Sequence, residues 1–242
     1  MKDIFKRWSI TPDFLTAIID ANPSLRGMLI GYIAEQKLRD ELSRCPELSR
    51  IRKDDDHDRE GKGDLVFDYR GRNFRLEVKC LDTNSVKIKL ADGSCLNRIN
   101  KIQIPGAKTK RGKPKYRYVA NAEFENLPTA RRINGRYSGK FQCNASDSRE
   151  VALSNGRKLA TNCLVTGEFD ILAVCLFAFR ERWEFAFARN DQLPRSKSTK
   201  YPEEVRRYLL SSSMSITWPL NAPYAGSIFP LLDQLLQERP MK

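Results

Sequence analysis

The sequence predicts an α/β domain carrying a basic insertion. Three observations point there. The first 45 residues have the 3–4 apolar spacing of amphipathic helices. GDLVFDYRGRNFRLEVKC, residues 63–80, alternates as a β-hairpin. FDILAVCLFAF and WEFAFAR, further along, read as buried sheet strands.

Thr11-Pro12-Asp13 is a helix start, a capping residue followed by proline in the first turn. Asn22-Pro23-Ser24 breaks that helix and restarts it. In the next segment Ile30, Ile33, Ala34, Leu38 and Leu42 share one face. Glu35 lies beside this stripe and Arg39 one turn on. A charged loop, residues 52–63, leads into the hairpin, with arms at about 64–69 and 73–80. Phe74, Leu76, Val78 and Cys80 take one face of the second arm; Arg75, Glu77 and Lys79 take the other. SVKIKL reads as a short strand. Residues 98–140 show little periodicity and are expected to be irregular, with one or two short elements. Strands follow near 158–165, at FDILAVCLFAF and at WEFAFAR, the last two joined by a turn at Arg180-Glu181-Arg182. Residues 202–212 and the IFPLLDQLLQERP tail read as helices. No internal repeat or linker is visible. A single domain over 1–242 is expected, with a core at about 25–190.

The chain is 242 residues long, 40% hydrophobic and 30% charged. No apolar run approaches the roughly 18 residues of a membrane span, and the start lacks a signal-peptide core. These features predict a soluble, cytoplasmic protein with no membrane partner. Six scattered cysteines form no CxxC pair, and one histidine cannot complete the usual zinc sets. They read as reduced thiols packed as small apolar residues. Forty-three Lys and Arg against 30 acids give a net charge of +13. Between Arg98 and Lys140, 12 basic residues face two acids, so this segment holds +10 of the total. Such concentration suits a polyanion; a disordered basic loop has the same composition. The candidate phosphate-contacting residues are Lys108, Lys110, Arg111, Lys113, Lys115 and Arg117, joined by Lys140, Gln142, Asn144 and Arg149 from GKFQCNASDSRE. That last stretch reads equally as a polar surface loop. RNDQLPRSKSTKY, residues 189–201, reads as a mobile loop more readily than as a phosphate contact.

The hairpin carries the chemistry. Glu77 and Lys79, at i and i+2, project from one face about 7 Å apart. Asp64 opens the neighbouring arm, and a twisted, splayed hairpin brings its carboxylate within reach of Glu77. Two carboxylates repel unless one is protonated or a cation joins them. Mg²⁺ takes oxygen ligands and is commonly held by one or two carboxylates plus substrate phosphate. A lysine beside them suits orientation of an attacking water.

Gly63-Asp64 and Glu77-Val78-Lys79 resemble the active-site motif of the PD-(D/E)xK nuclease superfamily, which includes most type II restriction endonucleases. The resemblance covers about residues 25–190 and implies a restriction-endonuclease-like core, a mixed central sheet flanked by helices. It implies Asp64, Glu77 and the backbone carbonyl of Val78 as metal ligands, with Lys79 positioning the nucleophilic water. It implies that Glu35, by its helical position, assists. The expected cofactor is Mg²⁺, with Mn²⁺ substituting. The expected activity is hydrolysis of double-stranded DNA to 5′-phosphate ends by a homodimer. Gly63 stands where the motif's name has proline. A junction resolvase or repair nuclease would share these residues, and a non-catalytic DNA-binding protein could share the fold.

Each residue also has a structural reading. Glu77 and Lys79 can form a solvated ion pair, Asp64 can be a turn residue, and Glu35 can pair with Arg39. His57 and the acids Asp54, Asp55, Asp56 and Asp58 read as a charged loop.

Overall fold

The computed structural model describes residues 3–53, 63–152, 156 and 158–238. His57 and Asp54, Asp55, Asp56 and Asp58 lie outside them. Three helices open the chain: α1 (Ile4–Trp8), α2 (Pro12–Ala21) and α3 (Pro23–Leu42). Thr11 caps α2 through its side-chain oxygen, which accepts from Phe14 N at 3.1 Å. Asn22-Pro23 divides α2 from α3 as the sequence indicates.

Strands β1 (Leu48–Arg52), β2 (Leu65–Tyr69) and β3 (Arg72–Cys80) follow, then β4 (Lys87–Lys89) and β5 (Cys95–Asn97). Next come β6 (Ile99–Lys108), β7 (Pro114–Ala120), the short helices α4 (Ala122–Glu125) and α5 (Thr129–Asn134), β8 (Arg136–Gln142) and β9 (Asn144–Ala152). The rest comprises β10 (Lys158–Cys163), β11 (Ile171–Cys175), α6 (Phe177–Arg180), β12 (Phe185–Arg189), α7 (Glu203–Arg206), β13 (Ser213–Trp218) and α8 (Phe229–Glu238).

The protein is mixed α/β. Its central sheet has the order β1-β2-β3-β11-β12, with β3 and β11 parallel and the other neighbours antiparallel. Both faces of this sheet are covered. On one, Phe74, Leu76 and Val78 pack with Ala34, Leu38 and Leu42 of α3 and Leu231, Leu232 and Leu235 of α8. On the other, Leu172, Val174, Ala186 and Ala188 meet Ile88, Tyr137, Phe141, Met214 and Ile216 from a second sheet, ordered β13-β8-β4-β5. Burying each such side chain contributes about 1.5–3 kcal/mol, so two filled interfaces fix the sheet between them. Gly139 permits a close approach here: a Cβ would lie 3.0 Å from the Phe179 ring.

Several expectations are corrected. Residues 98–140 are not largely irregular: they hold the β6–β7 hairpin, two short helices and β8. GKFQCNASDSRE is strand in β8 and β9 rather than loop. FDILAVCLFAF ends as a strand at Cys175: Leu176 N still bonds Glu184 O, one step on in the β11–β12 register, but its backbone leaves the extended region (ψ 11°) and a helical turn, α6, follows. The helix expected over 202–212 stops at Arg206, since Leu209 and Leu210 are drawn into bridges with Val165 and Arg195. Among the described residues, no helix is long and apolar enough to cross a membrane. Cys143, Cys163 and Cys175 are buried, and all six cysteines are free thiols.

Candidate active site and basic surfaces

The β2–β3 ladder pairs Leu65 with Leu76 and runs to Tyr69 opposite Arg72 around the Arg70-Gly71 turn. One step beyond its open end, Asp64 stands across from Glu77. The Asp64 carboxylate turns back into the ladder, and its Oδ2 accepts from Val78 N at 2.7 Å. A strand residue presents its N–H and C=O to the same side, so the Val78 carbonyl faces this edge too. Gly63 makes the approach possible. Its φ is +98°, and a Cβ there would lie 3.2 Å from Leu76 O. Proline, locked near −65°, cannot adopt that conformation. The departure from the PD motif is therefore required by this hairpin's geometry.

Glu77 and Lys79 project away from α3, into the interface between the two sheets. Lys79 Nζ donates to Glu77 Oε1 at 2.6 Å. Glu77 is only 8% exposed, so the pair is not the solvated surface bridge that strand periodicity alone allows. Burial pushes the Glu77 carboxyl up to about 7; the Lys79 ammonium opposes the rise, while the Asp64 and Glu168 charges add to it. Burial alone would lower Lys79, but the charges of Glu77 and Asp64 outweigh it and hold the ammonium protonated.

These oxygens are hard donors: the Asp64 carboxylate on the Val78 amide, the Val78 carbonyl, and the Glu77 carboxyl that the Asp64 charge reaches and that burial destabilises as an anion. A divalent cation relieves that repulsion, and Mg²⁺ commonly uses only one or two carboxylates, keeping waters and substrate phosphate for the rest. The chemistry of Asp64, Glu77 and the Val78 carbonyl is of the kind such an ion takes. Among the described residues no group of three or more His, Cys, Asp or Glu is arranged to hold a metal ion.

Glu35 has a different setting. Lys53 Nζ donates to its Oε2 at 2.6 Å and lies 5.0 Å from the centre of the Tyr32 ring. Its charge reaches Cys80, whose side chain is on the α3 face of β3. Glu35 thus carries an ion pair of its own, to Lys53 rather than the Arg39 pairing open in the sequence, and stands on the face of β3 opposite Glu77.

Two neighbours went unnoticed in the sequence. Glu168 is buried, its Oε2 accepting from Val165 N at 2.9 Å, and its charge acts on Glu77. Cys143, also buried, has its thiol pushed up to about 12 by burial, with Lys79 opposing and Glu77 adding to the rise. Burial thus favours its protonated form. Neither shares a local motif with the hairpin.

The basic residues occupy two surfaces. Lys108, Lys110, Arg111, Lys113, Lys115 and Arg117 are exposed on the β6–β7 hairpin and its turn. Lys140 and Gln142 are exposed on β8, in the second sheet, and Asn144 begins β9. Arg149 has its backbone in β9; its side chain lies outside those described. On β4 and β8, Lys87, Lys89, Arg136 and Lys140 alternate with the buried Ile88, Tyr137 and Phe141. Ser215 and Thr217 of β13 share their outward face, since Ser215 pairs with Lys140 and Thr217 with Ser138. The KIK alternation is a signal from which this basic face could have been found. Comparison with known proteins returns no matching protein family, no similar curated protein and no similar solved structure.

Proposed function

We propose that the protein is a Mg²⁺-dependent endonuclease acting on double-stranded DNA, with a restriction-endonuclease-like core. The observation that carries this reading is the open end of the β2–β3 hairpin. There the Asp64 carboxylate sits on the Val78 amide and its charge acts on the buried Glu77 carboxyl, with the Lys79 ammonium against Glu77. Asp64, Glu77 and Val78 hold the cation. Bound there, Mg²⁺ supplies charge stabilisation to a phosphodiester and lowers the pKa of a coordinated water. Lys79 stays protonated, donates to the attacking oxygen and favours the ionised form of Glu77 against the rise that burial causes. The exposed basic surfaces bind the phosphate backbone, and affinity falls steeply with added salt. Cutting both strands at one place favours a twofold dimer.

The test is closed-circular plasmid with Mg²⁺ or Mn²⁺ against the same reaction with EDTA. Wild type is expected to cut only with metal, and Asp64→Ala to be silent under both. Discrete fragments favour sequence-specific restriction; nicking or smearing favours a resolvase or repair nuclease. Binding without cutting by wild type in either metal would replace the enzyme with a DNA-binding protein on the same fold.

A further inference from the structure

The β6–β7 hairpin is exposed along nearly its whole length on both faces. Tyr118 is 53% exposed, and Ile102, Ile104, Tyr116 and Val119 also face solvent. A two-stranded ribbon alone is marginal in water. Among the described residues, the hydrogen bonds that fasten this one to the body lie at its root. Asn121 N donates to Arg98 O at 3.0 Å, and Asn121 Nδ2 donates to Asn97 O at 2.8 Å. The buried Arg98 guanidinium donates to Ala178 O at 2.6 Å and pairs with Glu181. The root is tied to the body while the shaft presents both sides outward.

The register sorts the side chains. Lys101 is opposite Tyr118 and Gln103 opposite Tyr116, placing these four on one face. Lys101 Nζ lies 4.0 Å from the centre of the Tyr116 ring. Between Ile99 and Ala120 there are seven Lys and Arg and no acid. Five of them, Lys108, Lys110, Arg111, Lys113 and Lys115, surround the turn closed by Thr109 N to Lys113 O at 2.7 Å. The charge is therefore densest at the free tip.

Shape selects the partner. Two strands about 4.8 Å apart, with side chains standing off each face, make an element matched to the major groove, about 12 Å wide, which admits a two-stranded ribbon. The minor groove, about 6 Å wide, is too narrow. We propose that the β6–β7 ribbon enters the major groove of duplex DNA, with Gln103, Tyr116 and Tyr118 toward the base edges and the tip cations on the flanking phosphates. Gln103 has the amide pair that matches adenine N6 and N7, and the rings give apolar contact to thymine methyl groups. This rests on the DNA-cleavage reading and makes the arm its recognition element.

The test uses full-length Asp64→Ala protein without divalent metal, so that binding is measured apart from cutting. Anisotropy is recorded on a mixed-sequence duplex, on the same duplex carrying glucosylated 5-hydroxymethylcytosine, which fills the major groove, and on the plain duplex with netropsin, which fills the minor groove. Glucosylation is expected to weaken binding at least tenfold and netropsin less than twofold. Adding Gln103→Ala, Tyr116→Ala and Tyr118→Ala should shrink the glucosylation effect to about twofold. Adding Lys110→Ala, Arg111→Ala and Lys113→Ala instead should lower the slope of log affinity against log salt by about 2–3. Equal affinity for plain and glucosylated duplex, or a loss confined to netropsin, overturns the groove assignment and leaves the nuclease reading standing. No binding to plain duplex in low salt overturns both.

Discussion

Lys79→Ala is expected to lower plasmid cleavage by at least 10²–10³-fold, the size of effect seen when a charge-stabilising donor is removed from a catalytic site. Duplex affinity should stay within about threefold. The separation follows from burial: only 20% of the Lys79 side chain is accessible, and its ammonium is engaged with Glu77 at 2.6 Å. It therefore adds little to a phosphate-binding surface. The fold should survive, because a Glu77 carboxyl without its ammonium can take up a proton. Circular dichroism checks that point. Glu35→Gln is the matched control, expected to lose no more than about tenfold, since that carboxylate pairs with Lys53 on the other side of β3. Cleavage by Lys79→Ala at the wild-type rate would remove the lysine from the mechanism.

The second large effect is on stability. Glu77 has a folded-state value of about 7 against an ordinary 4.5, raised mainly by burial. Between those two values the folded state holds a proton that the unfolded chain has released. Stability is thus fully present below about pH 4.5 and declines as pH rises through about 7. At about 1.4 kcal/mol per pKa unit, the loss is roughly 3 kcal/mol. Lys79, held protonated, adds no slope in this window. Thermal melts in EDTA should fall by several degrees from pH 5 to pH 8, and saturating Mg²⁺ should restore much of the difference at pH 8. Glu77→Gln should flatten the profile across this range. An unchanged slope in Glu77→Gln would show that other groups set it.

Much of the hairpin is legible before any coordinates. Phe74, Leu76 and Val78 alternate against Arg75, Glu77 and Lys79, so the two faces of the second arm can be read. The register cannot, since arms at 64–69 and 73–80 leave Arg72 in the turn, whereas Arg72 pairs with Tyr69 and the shorter Arg70-Gly71 turn is what sets Asp64 opposite Glu77. The central helix is legible for the same reason: Ala34, Leu38 and Leu42 are its buried residues. The β6–β7 ribbon is hard to read, because both its faces are wet and its apolar alternation is confined to Ile102-Gln103-Ile104 and Tyr116-Arg117-Tyr118. The run ILAVCLFAF hides a change of structure at Leu176, since strand and helical turn are both buried and apolar continuity cannot separate them. Glu168 and Cys143 reach the neighbourhood of Glu77 from far along the chain, so no local spacing announces them. Leu209 and Leu210 defeat the helical reading of 202–212 because strand-like pairing with distant residues outweighs local propensity.

The acid-free stretch from Ile99 to Ala120 has a bearing on ionic conditions. Cations crowded around one turn repel each other within a Debye length of about 8–10 Å at physiological salt. Dissolved electrolyte therefore acts on this appendage in two opposite senses: it quiets the internal repulsion and firms the unliganded ribbon, while weakening its grip on any polyanion. The free protein's best-ordered arm and its tightest complex belong to different buffers.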